Sequence, residues 1–159
     1  YILNIFNMIK EEEVISAQKN WSDGLIKISN NHKNNLDYIS QAINHIDRLY
    51  DYSFGKVLFK PTLARDIQFR NTKEGALSYF VANNDDFPED DGFALKGWTD
   101  VRWENSGIQV FKNIAIAMGN YFFTNNDGTI MVEFSFVYRK DDQGNLKIIL
   151  HDSHFPYQK

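Results

Sequence analysis

The stretch IAIAMGNYFFTNNDGTIMVEFSFVYR, residues 114–139, decides the fold class. Two apolar runs flank NNDG (125–128), and Asn and Gly tolerate the backbone angles of tight turns, so this stretch predicts a β-hairpin. In the second run, apolar side chains at alternate positions share one strand face: Ile130, Val132, Phe134, Phe136 and Tyr138. The hairpin therefore predicts a sheet with one strongly apolar face.

Strand patterns continue on both sides of this hairpin. Residues 93–103 and 108–112 precede it, and a second turn, DDQGN (141–145), leads into the closing run LKIILHDSH. Short runs rich in Phe, Val and Ile between turn signals are typical of strands. The C-terminal half of the chain therefore predicts an antiparallel meander.

The N-terminal third has helical spacing instead, with apolar residues three or four positions apart on each side of NNHKNN (30–35). The first stripe is Val14, Ala17, Trp21, Leu25 and Ile28, and the second is Leu36, Ile39, Ile43, Ile46 and Tyr50. Helices followed by a strongly bent antiparallel meander predict the α+β class, a cone-shaped α+β barrel in which the helices pack across a curved sheet. The mouth of such a cone is a natural place for a pocket.

Shorter features connect the helices to the meander. VLFKPT (57–62) predicts a short edge strand, because Pro61 cannot donate to a sheet ladder, and IQFR (67–70) predicts another extended segment. Thr72 is a suitable N-cap for a short helix over 75–81. NNDDFPEDDG (83–92) is an acidic loop whose spacing does not fit a calcium-binding loop.

Composition narrows the class of protein. A chain of 159 residues that is 43% hydrophobic and 15% aromatic predicts one folded domain over 1–159. A net charge of −4 without a basic stripe argues against nucleic acid as a partner, and the lack of an 18-residue apolar run argues against a membrane span. There is no cysteine, which removes disulfides, thiolate nucleophiles and cysteine metal sites.

The compartment stays open. The opening YILNIFNMI (1–9) fits both the remnant of a removed leader and an arbitrary chain boundary. A periplasmic or organellar location after leader removal and a cytoplasmic location are therefore both compatible with the sequence.

The closing LHDSHFPY (150–157) concentrates polar chemistry at the end of a strand. Side chains alternate between strand faces, so His151 and Ser153 are expected to share one face with Ile149. Asp152 and His154 then share the other face. From the residues alone, this segment is either the rim of an active site or a pair of polar groups that satisfy each other at a strand end.

The same alternation argues against a metal site. His151 and His154 cannot share a face of a regular strand, so a metal would need further ligands from His32, His45 or carboxylates. No spacing in the sequence indicates such a set.

Several separated stretches resemble the iota-class carbonic anhydrases, a family on the cone-shaped fold of nuclear transport factor 2 and of the association domain of calmodulin-dependent kinase II. The resemblance runs from about residue 15 to residue 157. It is carried by AQKNWSDGLIKI, HIDRLYDYSFGKVLFKPT, IQFRNTKEGALSYFV, FPEDDGFALKGWTDVRWENSGI, AMGNYFFT and LHDSHFPY.

The family's closing motif is His-His-Ser-Ser, then a hydrophobic residue, Pro and usually Tyr. Here the first His and first Ser match as His151 and Ser153, whereas Asp152 and His154 replace the second His and second Ser. Both departures are expected on the face opposite the matching pair. Activity is therefore expected to survive if the inward face does the chemistry, and to be affected if the other pair also matters.

The resemblance implies reversible hydration of CO2 to bicarbonate in a small aromatic pocket. It assigns four polar groups to the site, Thr62 of VLFKPT, Tyr79 of GALSYF, His151 and Ser153. Members have been described as metal-free and others as using zinc or manganese, so the resemblance does not settle the cofactor. We expect no cofactor, with zinc or manganese as the alternative.

These four groups suggest a mechanism. Thr62, Tyr79 and Ser153 are expected to position the water and the developing bicarbonate. His151, with an ordinary pKa near 6.5, is expected to take or relay the proton. The expected dry wall of the substrate site consists of Phe59, Phe80, Trp98 and Phe123, each with plain core packing as its alternative. Arg102 could attract bicarbonate or form a surface ion pair.

Other functions remain open at this point. A non-catalytic ligand-binding or dimerisation module is favoured by the altered closing motif, since a fold does not fix a function. A small isomerase or hydrolase would need an inward-facing Asp–His pair, and the expected opposite faces of His151 and Asp152 argue against it. A homodimer is expected because the sheet's second face, formed by Phe134, Phe136 and Tyr138 or by their neighbours, offers more apolar surface than two helices can cover. Either face could be the one that the helices cover. Glu133 is expected to face solvent or the partner subunit, with a pocket base as the alternative.

Overall fold

The computed structural model describes residues 8–159, so most of the opening segment, residues 1–7, lies outside the described part. Three α-helices and five strands follow in the order α1 (Glu11–Lys33), α2 (Tyr38–Leu49), β1 (Leu58–Lys60), α3 (Lys73–Val81), β2 (Asp100–Phe111), β3 (Ile114–Asn125), β4 (Gly128–Lys140) and β5 (Leu146–His154), with a 3₁₀ turn at Phe93–Leu95 before β2.

The helices begin where side chains can accept the first backbone N–H groups. Asp37 accepts from Ser40 N at 2.9 Å at the start of α2, and Thr72 accepts from Gly75 N at 3.2 Å at the start of α3, which confirms the predicted cap. In α1 the predicted stripe is largely buried. In α2 the predicted stripe is partly wrong: Leu36 and Ile39 are exposed, and the buried residues are Ala42, His45, Ile46 and Leu49.

The five strands form one mixed sheet in the order β1-β5-β4-β3-β2. The four long strands are antiparallel, as predicted, whereas β1 pairs parallel to β5 and lies at the edge that Pro61 predicts. IQFR forms no strand; the Arg70 N–H instead donates to Phe59 O at 2.7 Å. The α+β class is confirmed, and the sheet stays open between its two edges rather than closing into a barrel.

A bulge opposite a glycine bends this sheet. In β2, Asn105 pairs with Gly119 and Gly107 with Met118, so Ser106 is the extra residue. A Cβ on Gly119 would lie 2.1 Å from Glu104 O, so no larger residue fits this close approach. The bend lets one face of the sheet curve around the helices.

The hairpin between β3 and β4 has the predicted position, and a residue of the predicted NNDG turn has the positive φ. The positive backbone angle falls on Gly128 (φ 129°), while Asn125 accepts a hydrogen bond from Asp127 N at 2.9 Å. Residues 93–103, predicted as extended, contain the 3₁₀ turn and only the start of β2, because Phe93 and Trp98 pack into the core next to Ser29 of α1.

The last strand separates its side chains between two faces. His151 and Ser153 are buried, and Asp152 and His154 lie on the outer face, as the alternation predicts. A bulge between the pairs Val137–Leu150 and Tyr138–Ile148 makes Ile148 the buried neighbour instead of Ile149.

The sheet's inner face and the helices share one hydrophobic core. Phe134, Phe136 and Tyr138 of β4 point into this core, which answers which sheet face the helices cover. The prediction of one domain over 1–159 stays a prediction, with this shared core in its favour. In the described part of the chain, no helix is both long and apolar enough to cross a bilayer.

The acidic loop anchors the segment that follows β1. The Glu89 carboxylate accepts hydrogen bonds from the backbone N–H groups of Arg65, Asp66 and Ile67 at 2.9 to 3.1 Å. Burial raises the pKa of Glu89, but these donors outweigh burial and hold the pKa below its ordinary value. The loop that begins at Pro61 is therefore tied to the acidic loop by one carboxylate.

The neighbouring Asp90 links the same loop to α3. It accepts from the buried Arg70 guanidinium at 2.8 Å and from Ser78 Oγ at 2.6 Å. Since Tyr79 follows Ser78, Glu89 and Asp90 together hold the two segments that carry Thr62 and Tyr79.

Replacing Glu89 with Gln tests this anchor. The three backbone N–H groups lose a charged acceptor, so we expect the amides of Arg65, Asp66 and Ile67 to exchange with deuterium about tenfold faster or more. Hydrogen exchange followed by NMR measures these rates. Glu74→Gln, on an exposed position of α3, is the matched control and should leave them unchanged; wild-type rates in Glu89→Gln would contradict the anchor.

His45 is a buried ionisable residue on the inner side of α2. Its ring packs edge-on against Trp21 and Phe80, and its Nε2 has no hydrogen-bond partner among the described residues. Burial lowers the pKa of His45 to about 3, with a smaller contribution from the charge of Arg48. The imidazole is therefore neutral in the folded protein.

This neutral imidazole predicts acid sensitivity. Between pH 6.5 and 3 the unfolded chain binds a proton at His45 that the folded chain does not, so the free energy of unfolding falls as the pH falls. We expect His45→Phe to reduce that fall by about 2–3 kcal/mol between pH 6.5 and 4.5. Chemical denaturation across this pH range measures it. The exposed His32, replaced by Asn, should keep the wild-type pH dependence, and an unchanged slope in His45→Phe would refute the assignment.

Candidate active site

A small cavity lies between α1, α3 and the inner face of the sheet, at the end of β1. It leaves about 10 Å³ for the centre of a water molecule, which is close to what one water needs. The lining residues are Trp21, Phe59, Pro61, Thr62, Tyr79, Phe80, Phe93, Tyr121, His151 and Ser153. The walls are thus mostly aromatic, and the polar groups are hydroxyls and one imidazole.

The structure brings the four predicted polar residues to this cavity. The parallel pairing of Phe59 with His151 and of Lys60 with Asp152 carries the chain after β1 past the end of β5. Thr62 Oγ1 therefore lies 2.6 Å from Ser153 Oγ. Tyr79 comes from α3, and its hydroxyl accepts from Leu63 N at 3.4 Å.

His151 is held between two phenyl rings. Its ring stacks on Phe136 with centroids 4.0 Å apart and on Phe59 with centroids 4.6 Å apart. Only 2% of the residue is exposed. Burial lowers the pKa of His151 well below 6.5, with a smaller contribution from His45.

Each of the two imidazole nitrogens is hydrogen-bonded to a tyrosine hydroxyl. Tyr50 OH lies 3.0 Å from Nδ1, and Tyr121 OH lies 3.2 Å from Nε2. Tyr121 OH also makes a short hydrogen bond with Ser153 Oγ, so Tyr121 bridges His151 and Ser153. On the other side, Trp21 Nε1 donates to Tyr50 OH at 2.8 Å. A continuous chain of hydrogen bonds thus runs from Trp21 to Thr62.

The two cavity phenols remain protonated at neutral pH. Burial raises the pKa of Tyr79 and of Tyr121 above the ordinary value of 10. Both can donate hydrogen bonds, and neither can act as a phenolate base under these conditions.

The expected substrate wall is only partly at the cavity. Phe59 and Phe80 line it. Trp98 and Phe123 are buried behind it, where both pack against Phe93. Arg102 lies on the outer face of the sheet, because alternation in β2 turns it away from the core; there it pairs with Glu104 and stacks over Phe122.

The outer face also holds the residues that depart from the family's closing motif. His154 Nε2 lies 2.8 Å from Glu133 Oε2, and His154 Nδ1 lies 3.3 Å from Asp152 Oδ2. Glu133 therefore faces away from the cavity. Asp152 cannot form an inward pair with His151, so the isomerase arrangement is not present.

Sequence reasoning missed three polar members of the site. Trp21 and Tyr50 were assigned only to apolar helical stripes, although an indole N–H and a phenol usually find partners when buried. Tyr121 lies within AMGNYFFT on the same face as Phe123, so strand alternation could have placed it inward.

Metal ligands are not grouped in the described residues. No cluster of three or more His, Asp or Glu side chains in 8–159 could hold a metal ion. His45 lies on α2 among aromatic rings and does not join His151 in a ligand set.

Distant structural relatives share the fold. A putative ketosteroid isomerase from Parabacteroides distasonis superposes with a TM-score of 0.58 at 19% identity, covering 95% of this chain and 96% of that chain. At this level of identity the likeness shows the fold alone.

Two nearer relatives are much more similar. A metal-independent carbonic anhydrase from Nostoc sp. is 43% identical over 155 residues, which are 95% of this chain and 76% of the relative. The crystal structure of an iota-carbonic anhydrase from a cyanobacterium, complexed with bicarbonate, superposes with a TM-score of 0.93 at 41% identity and 96% coverage of both chains.

The family itself matches along nearly the whole chain. Residues 12–155 match the family described as metal-independent carbonic anhydrase. This range contains α1 from its second residue onward, the whole sheet and all ten residues that line the cavity. The resemblance seen in the sequence is thereby confirmed, and the chain belongs to the metal-independent carbonic anhydrase family.

Proposed function

We propose that this protein catalyses the reversible hydration of CO2 to bicarbonate without a metal ion, in the cavity beside His151. The observation that carries the proposal is the convergence of Thr62, Tyr79, His151 and Ser153 on one small aromatic cavity. Because the cavity has room for about one water, its lining side chains must move apart to admit CO2 beside that water. Family membership and the bicarbonate complex of the cyanobacterial relative support the choice of substrate.

The site suits an anion that forms inside an apolar pocket. Hydration joins a water oxygen to the carbon of CO2 and releases one proton to the solvent, leaving negative charge on the product oxygens. Hydroxyl donors fixed in a dry site stabilise such charge more than water does. Thr62 and Tyr79 supply these donors, and Ser153 orients the Thr62 hydroxyl from 2.6 Å away. Phe59 and Phe80 provide the apolar wall for CO2.

His151 has an orienting role in this proposal. Its lowered pKa makes the imidazolium unfavourable near neutral pH, so the ring does not store the released proton. Its Nε2 instead contacts Tyr121 OH, and Tyr121 in turn is hydrogen-bonded to Ser153, so the imidazole orients both hydroxyls. Trp98, Phe123 and Arg102 lie outside the cavity, and we assign them no contact with substrate.

Removing one donor tests the proposal. We expect Tyr79→Phe, which removes a donor, and Ser153→Ala, which leaves the Thr62 hydroxyl without its orienting partner, each to lower kcat/KM for CO2 hydration by about 10²-fold or more. Stopped-flow hydration assays with and without chelator measure it, and wild-type activity should survive the chelator. Tyr138→Phe, another buried tyrosine that does not line the cavity, is the matched control. Full activity in both site variants would refute the mechanism.

A non-catalytic binding module is the alternative outcome of the same assay. It predicts that the folded wild-type protein does not accelerate CO2 hydration, with or without added zinc or manganese. The inward orientation of His151 and Ser153 favours the enzyme, because the departures at Asp152 and His154 leave the cavity wall unchanged.

We also propose that the protein is a homodimer formed through the outer face of the sheet. Apolar side chains on this face are not covered by the helices: Ile116, Met118, Phe122, Met131 and Val137. The cluster of Glu133, Asp152 and His154 lies beside them. An apolar centre with a polar rim is typical of interfaces between like subunits.

Matched lysine substitutions test the dimer. We expect the wild type to sediment as a dimer and Ile116→Lys to sediment as a monomer, because a charge would be buried in the interface. Ile39→Lys is the control, since Ile39 is 45% exposed and Ile116 is 42% exposed, on opposite layers of the fold. Sedimentation velocity measures both, and a monomeric wild type would contradict the proposal.

A further inference from the structure

Tyr50 is a buried tyrosine that does not line the cavity yet contacts the imidazole at its edge. Tyr50 directly follows α2, and only 2% of its surface is exposed. Its hydroxyl has two partners in the described part of the chain, Trp21 Nε1 at 2.8 Å and His151 Nδ1 at 3.0 Å. The proposed function assigns no role to this hydroxyl.

Counting hydrogens gives these two contacts a direction. An indole N–H can only donate, so the Tyr50 oxygen must accept from Trp21. The single hydrogen of Tyr50 then has one acceptor within reach among residues 8–159, the Nδ1 of His151. If Nδ1 carried the proton instead, the hydroxyl hydrogen of Tyr50 would be buried without a partner, which is costly.

This direction fixes the tautomer of His151. A neutral imidazole carries one hydrogen, so Nδ1 accepts from Tyr50 and Nε2 carries the proton. Nε2–H then donates to the hydroxyl of Tyr121, 3.2 Å away. His151 cannot accept a proton at Nε2 in this state.

The remaining hydroxyls follow from that donor. Tyr121 accepts from His151 and so donates to Ser153, and Ser153 donates to Thr62 Oγ1 at 2.6 Å. The hydrogen of Thr62 stays available for Tyr79 or for a ligand in the cavity. Every hydrogen bond from Trp21 onward therefore points toward the cavity, as a site for an anionic product requires.

We propose that Tyr50 is a positioning residue that, with Trp21 behind it, locks His151 in the Nε2–H tautomer and thereby directs the hydroxyls of Tyr121, Ser153 and Thr62 toward bound bicarbonate. The catalytic part of this inference rests on the proposed function. The tautomer part does not depend on it and is tested separately.

The tautomer is measured on the wild-type protein by ¹⁵N NMR of the histidine rings at pH 7, with the His151 signals assigned by mutation. We expect Nδ1 to show the shift of an unprotonated ring nitrogen and Nε2 the shift of a protonated one. The reverse pattern would overturn the inference without any variant, so a folding defect in a variant cannot hide the answer.

Two tyrosine variants then test the cause. In Tyr50→Phe we expect both His151 nitrogens to move toward intermediate shifts, because nothing then fixes Nδ1 as an acceptor. Tyr52→Phe is the matched control. The Tyr52 ring stacks on Tyr50 with centroids 6.0 Å apart, but its hydroxyl donates to Arg70 O at 2.7 Å and takes no part in the hydrogen bonds that run from Trp21 to Thr62. It should keep the wild-type pattern, and a wild-type pattern in Tyr50→Phe would refute the role of Tyr50.

Kinetics test the consequence for catalysis. We expect Tyr50→Phe to lower kcat about 3- to 10-fold with little change in KM, the size of one lost neutral hydrogen bond, and Tyr52→Phe to match the wild type. An unchanged kcat in Tyr50→Phe together with altered ¹⁵N shifts would overturn the catalytic part. The expected ¹⁵N shifts in a wild-type protein without hydration activity would instead refute the proposed function and leave the tautomer assignment standing.

Discussion

The site depends on a polar ring packed as if it were an apolar one. His151 lies between Phe59 and Phe136, so its two nitrogens can meet only groups in the plane of the ring. Those groups are Tyr50 and Tyr121, which satisfy both nitrogens without adding charge. Because the imidazole is buried and neutral, the chemistry of the cavity is that of oriented hydroxyls rather than of an ion.

The curvature of the sheet is what lets this arrangement close. Tyr121 belongs to β3, two strands away from β5, and neighbouring strands lie about 4.8 Å apart. Its phenol reaches across β4 to His151 and Ser153. The bulge in β2 lies opposite Gly119, two residues before Tyr121 in β3. Glu89 and Asp90 complete the enclosure from the other side by fixing the segments that carry Thr62 and Tyr79.

Local patterns in the sequence were sufficient for features that depend on neighbouring residues. The alternation at the chain end placed His151 and Ser153 inward, the hydroxyl of Thr72 marked the start of α3, and Pro61 marked the end of an edge strand. The assignment of Thr62 and Tyr79 to the cavity came from the resemblance, because neither position has a local signal that distinguishes it from ordinary packing.

Features that depend on distant contacts were not accessible in this way. The contact of Tyr50 with His151 joins residues 101 positions apart, and the parallel direction of β1 follows from its pairing with β5, the last strand in the chain. The predicted α2 stripe was partly wrong for a similar reason: the helix packs His45 against Trp21 of α1 and leaves Ile39 exposed. The contact with α1 decides this orientation, and periodicity alone does not.

The two faces of β5 place alternate residues of the chain end in different surroundings. A substitution at 152 or 154 meets the surroundings of Glu133, whereas one at 151 or 153 meets the aromatic interior. The four-residue motif is therefore better treated as two interleaved pairs. Divergence in one pair leaves the other intact, so residues 152 and 154 can be changed to alter the outer face of the sheet while residues 151 and 153 preserve the cavity.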